Sequence, residues 1–104
     1  MIVSFELDMP NPPSWNGKWS GEGKPYCVIR NVGQTKDARA KWEKLIGRYS
    51  HRWEDGWTAV ITVREVTSTA AIRMRKQSAG FCGYEWMIDA IAKHGKIVID
   101  DEAA

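Results

Sequence analysis

Few side chains in this sequence have both the type and the spacing that chemistry needs. Cys82 is a potential nucleophile, which requires a base within hydrogen-bond reach. If Cys82 and His94 share one helix, the 12 residues between them amount to about 18 Å at ~1.5 Å rise, too far for proton transfer. His51 would reach Cys82 only through a tertiary contact. A free cysteine more often packs as a small hydrophobe, so a buried, inert Cys82 is expected. His51, Glu54 and Asp55 carry metal-binding and proton-transferring atoms close together, but beside a turn they read as solvated hairpin residues. His94 reads as a cation at a helix end, favourable to the helix dipole. No catalytic residue, metal ligand or cofactor is assigned, and the chain is read as non-enzymatic.

The stretch Gly17-Lys18-Trp19-Ser20-Gly21-Glu22-Gly23-Lys24-Pro25 looks superficially like a phosphate loop. It lacks the Ser or Thr that must follow the lysine to hold a metal, and Pro25 leads into a strand instead of a helix N-terminus. An ordinary Gly-rich loop or an exposed binding loop fits better. Two basic clusters are candidates for phosphate contacts. Lys36, Arg39, Lys41, Lys44 and Arg48 are placed on the first helix and interleaved with Asp37 and Glu43, which makes them a solvated face. Arg73, Arg75 and Lys76 have no acidic neighbour, and with Arg64 they form the better nucleic-acid candidate. No helix-turn-helix, zinc-finger or RNP pattern accompanies them.

The most unusual feature is six Trp in 104 residues. Trp either makes a small core heavy or marks an interface. Trp15 and Trp19 flank Asn16-Gly17, a strong hairpin signal because both central residues of a type I′ turn need positive φ. In a two-residue hairpin Trp15 faces Lys18 and Ser14 faces Trp19, so the two indoles point to opposite sides of the ribbon.

The elements that must position these residues follow from periodicity. Val3, Phe5 and Leu7 alternate with Ser4, Glu6 and Asp8, a half-buried strand stopped by Pro10, Pro12 and Pro13. A long Pro/Gly/Trp loop spans 10–25. Residues 26–32 are β-branched and aromatic, a second strand closed by Gly33. Thr35 caps a helix with Ala38, Trp42, Leu45, Ile46 and Tyr49 at helical spacing, although Gly47 weakens its last turn. Trp57, Ala59, Ile61 and Val63 form one face of a strand paired with residues 49–53. A three-residue loop, Glu54-Asp55-Gly56, with Gly56 left-handed, would set Trp53 opposite Trp57. Thr67, Ser68 and Thr69 offer caps for a short helix through Lys76, ended by Ser78-Ala79-Gly80. A third helix carries Tyr84, Met87, Ile88, Ile91 and Ala92 and stops at His94-Gly95. Ile97, Val98 and Ile99 suggest a last strand before an acidic tail.

Strands and helices do not alternate, so the expected fold is α+β: a mainly antiparallel sheet of about five strands with two to three helices packed on one face. One domain over 1–104 is expected. Its core would be Val3, Phe5, Leu7, Val28, Trp42, Leu45, Ile46, Ala59, Ile61, Val63, Met87, Ile88, Ile91 and Val98. With 43% hydrophobic and 27% charged residues the composition is globular, and a net charge of +2 permits nucleic-acid binding without arguing for it. No apolar run reaches the ~20 residues of a membrane span. Cys27 and Cys82 lack C-x-x-C spacing and are too few for a disulfide scaffold, so a reducing cytoplasm is expected.

The phrases Ser14-Trp15-Asn16-Gly17-Lys18-Trp19-Ser20-Gly21 and Gly80-Phe81-Cys82-Gly83-Tyr84-Glu85-Trp86-Met87 resemble small phage- and prophage-encoded proteins to which no activity is assigned. The resemblance implies an accessory role: binding a host protein, countering a defence system, or touching phage nucleic acid. The first functional reading, motivated by a long Trp-bearing loop in a domain already rich enough in aliphatics to build a core, is a protein partner engaged through Trp15, Asn16, Gly17, Lys18 and Trp19. The second is nucleic acid, through Arg64, Arg73, Arg75 and Lys76, and the third a small enzyme of unknown reaction. A homo-oligomer is compatible with each.

Overall fold

The alternating segment at the start of the chain becomes a central strand. A computed structural model describes residues 1–8, 26–54, 56, 58–78, 80–81 and 83–98. Among them β1 (Ile2–Asp8), β2 (Tyr26–Asn31), β3 (Gly47–Arg52) and β4 (Thr58–Glu65) form one sheet in the order β2-β1-β4-β3, antiparallel throughout. Three helices complete it: α1 (Lys36–Leu45), α2 (Ser68–Gln77) and α3 (Trp86–His94). The fold is thus α+β as expected, with four strands among the described residues. Ile97 and Val98 belong to no strand; Ile97 packs half-buried against the core from irregular chain, and Ile99 lies outside the described residues.

The register explains the core. Phe5 sits between Val28 and Val63, and Leu7 between Tyr26 and Ile61, so one face of the sheet is continuously apolar. Phe5, Val3, Ile61 and Val63 are fully buried, each side chain contributing about 1.5–3 kcal/mol by leaving water. From α1, Trp42 stands edge-on to Phe5 with ring centroids 5.7 Å apart at 81°, and α3 adds Met87, Ile88 and Ile91. Two helices therefore share this face. The third, α2, lies against the other face over β1 and β2. Its C-capping Ser78 hydrogen-bonds the Cys27 side chain, and Ala71 is buried outside the main core. Beneath it Ser4, which pairs with Ile29 and Arg64, is completely buried.

Local signals set the helix ends. Thr35 and Thr67 accept hydrogen bonds from Ala38 N and Ala70 N, each at 3.1 Å, as N-caps do. Gly95 adopts φ +72° and donates its N–H to Ile91 O at 2.8 Å, the left-handed close foreseen for α3. Between β3 and β4 the pairing of Arg52 with Thr58 is the register that the three-residue loop requires. Gly56 has φ +97° and donates to Trp53 O at 3.1 Å. Asp55 and Trp57 lie outside the described residues, and with Trp57 the expected indole pair.

Three expectations are corrected. The first helix ends at Leu45, because Gly47 at φ +152° opens β3, and Tyr49 belongs to that strand. Its hydroxyl donates back to Leu45 O at 2.6 Å, tying the strand to the end of α1. Ile46, expected in the core, is consequently 41% exposed, and Val98 is only half-buried. Met1, Tyr26 and Phe81 are core residues that periodicity did not indicate. Among the described residues no helix is long and apolar enough to cross a membrane.

Candidate functional site

Strand alternation sorts the charged side chains onto two sides. On the side of α1 and α3, cations meet carboxylates: Arg30 Nη1 lies 3.3 Å from Asp89, and Arg39 reaches Glu43 at 3.8 Å and Glu65 at 3.7 Å. Lys41 stands 5.7 Å from the centre of the Trp42 ring. This is the solvated, carboxylate-interleaved face expected of the first cluster, although Lys36, Lys41 and Lys44 make no ion pair among the described residues, and one member of the cluster is placed elsewhere. Arg48 is not on α1 at all; it pairs with Thr62 in β3 and points to the opposite side.

That opposite side carries α2 and is predominantly basic. β3 presents Arg48, Ser50 and Arg52, all exposed, and β4 presents Arg64. α2 adds Arg73, Arg75 and Lys76, with no acidic residue in its first turn and both Arg75 and Lys76 in its last. Among the described residues two carboxylates share this side. Glu6 accepts from Arg64 Nε at 2.7 Å, and Asp8 lies exposed at the end of β1 opposite Val60. Arg48, Arg52, Arg73, Arg75 and Lys76 make no ion pair among the described residues. A depression of about 340 Å³ between Arg48, Ser50 and Val60 opens on the same side. Sequence reasoning placed Arg64, Arg73, Arg75 and Lys76 together; it missed Arg48 and Arg52, whose signal is their alternation with Tyr49 and His51.

The other candidates fare differently. Trp15, Asn16, Gly17, Lys18 and Trp19 lie outside the described residues, as does Cys82. α3 begins at Trp86, so Cys82 and His94 do not share a helix and the length argument separating them lapses. His51 is not a solvated hairpin residue. It is half-buried in β3, its ring stands 4.7 Å from Trp53 at 89°, and its buried Nε2 has no hydrogen-bond partner among the described residues. Trp53 in turn meets Tyr84 at 6.1 Å and 63°. Among the described residues no three His, Cys, Asp or Glu side chains converge as metal ligands would.

Cys27 is buried, and burial pushes its thiol above the ordinary value of 9.0; nearby Glu6 adds to this, while the Ser78 hydrogen bond and Arg64 oppose it. A neutral thiol held in this way is a poor nucleophile. Comparisons with protein-family models, with curated proteins and with solved structures found no match for this chain, so its function is argued from its own geometry.

Proposed function

We propose that the protein binds a nucleic-acid backbone through the side of the sheet that carries α2. The observation that supports this reading is the segregation of charge. Arg48, Arg52 and Arg64 project from that side of the sheet, and Arg73, Arg75 and Lys76 are exposed on the helix packed there, against Glu6 and Asp8 among the described residues, in a chain whose net charge is +2. Cations left without carboxylates are the residues that phosphates can engage with release of counterions. Arg64 contributes through its terminal nitrogens, because its Nε is already committed to Glu6. No base-reading element is invoked, so recognition is of charge and shape, not sequence.

The test is fluorescence anisotropy of labelled single- and double-stranded oligonucleotides over a range of salt. Binding should weaken steeply as salt rises, and an Arg73→Ala, Lys76→Ala double variant should lower the slope of log K against log salt by about 2. Arg39→Ala, on the balanced side, should leave both affinity and slope unchanged. A flat salt response, or an unaltered slope in the double variant, would remove the proposal. The alternative of a protein partner held by Trp15 and Trp19 keeps its motivation in the sequence and gains none from the described geometry.

A further inference from the structure

Where α3 passes the end of β3, a groove of about 480 Å³ is lined by Trp53 and by Trp86, Asp89, Ala90, Lys93 and His94 of α3. That size falls within the ~300–1,000 Å³ of small-molecule sites. Its aromatic wall is built in advance. The Trp53 indole is held by the His51 ring at 4.7 Å and the Tyr84 ring at 6.1 Å, both edge-on or nearly so. Trp86 keeps 36% of its surface exposed, outside the buried core, and shares the groove wall with Trp53. Ala90, 8% exposed, leaves room that a larger side chain would fill.

The charges lining the groove discriminate between ligands. Lys93 repels a cation seated against the indoles, and Asp89, the carboxylate in the lining, is shared with Arg30 at 3.3 Å. An anionic group has the basic residues Lys93 and His94, both in the last turn of the helix, in the groove lining. We infer that this groove binds a small planar aromatic anion, its ring against Trp53 and Trp86 and its charged group beside Lys93 and His94. The site belongs to α3, across the sheet from the cations of the proposed nucleic-acid surface, and it stands or falls independently of them.

Isothermal titration calorimetry of the full chain with four probes tests this: adenosine 5′-monophosphate, indole-3-acetate, adenosine and inorganic phosphate. At least one of the two aromatic anions should bind with Kd below ~1 mM, and which one does so separates a phosphate from a carboxylate ligand. Adenosine and inorganic phosphate, lacking the charge or the ring, should each bind about tenfold more weakly or worse. Trp86→Ala and Lys93→Ala should each weaken binding about fivefold, and Trp86→Phe should restore most of it. Lys93 is exposed, so Lys93→Ala should melt as the parent does; Trp86 is 36% exposed, so Trp86→Phe, which keeps a ring there, separates lost binding from lost packing, and Arg39→Ala should bind as the parent does. The inference is overturned if neither aromatic anion binds at ~5 mM, if inorganic phosphate binds as tightly as the nucleotide, or if Trp86→Ala and Lys93→Ala both bind normally.

Discussion

At the residue scale, Cys27 and Tyr49 give the molecule a defined response to alkali. Burial raises both groups above their ordinary values, 9.0 for the thiol and 10.0 for the phenol. The unfolded chain therefore loses these protons at lower pH than the folded one does. Stability from this source is complete below pH 9.0 and declines as pH rises toward the raised folded values, the thiol acting first. The urea midpoint should stay level on approaching pH 9.0 and then fall, and Cys27→Ala should remove the earlier part of the fall. A midpoint that rises above that pH would contradict the assignment. His51 shows where residue-level reading stops. Its neighbours in sequence, Glu54 and Asp55, suggested solvent, whereas its environment is set by Trp53 and by pairing with Ala59 across the hairpin.

At the element scale, α2 depends on its cap. It is only 10 residues long and buries little besides Ala71, so the hydrogen bond from Ala70 N to the Thr67 hydroxyl is a large share of what fixes its start. Thr67→Ala should lower stability by about 1 kcal/mol, measured by urea denaturation, and Thr67→Ser should recover most of the loss. Such caps were legible because their determinants are local, as were the alternation of β1 and β4 and the Gly95 close of α3. The boundary between α1 and β3 was not. Tyr49 follows Trp42, Leu45 and Ile46 at helical spacing but equally precedes His51 and Trp53 at strand spacing, and Gly47 decides between the two. Assigning Arg48 to the helix hid the basic side, since 44 and 48 are also helical neighbours. The last apolar triplet read as a strand because composition favours strands there, yet Ile97 and Val98 belong to no strand and Ile99 lies outside the described residues.

At the scale of the whole molecule, Phe81 ties the connection between α2 and α3 to the core. It is fully buried and accepts the Tyr84 N–H on its carbonyl at 3.0 Å, in a segment without any periodic pattern that would announce it. Phe81→Ala should destabilise the fold by about 3–5 kcal/mol, a loss readable as a large drop in Tm, and a change near zero would show that the site collapses without loss. The basic side likewise exists only in three dimensions, because strand pairing and the placement of α2 bring together cations that stand far apart in sequence. The same pairing has a temporal consequence. β1 is bonded to β4, so Val3 meets Glu65 only after about 60 further residues have been made. At ribosomal speeds of roughly 5–20 residues per second, β1 can pair early with β2 but waits several seconds for its second neighbour. Until then a newborn chain leaves one long side of β1 without the strand that the finished sheet places there.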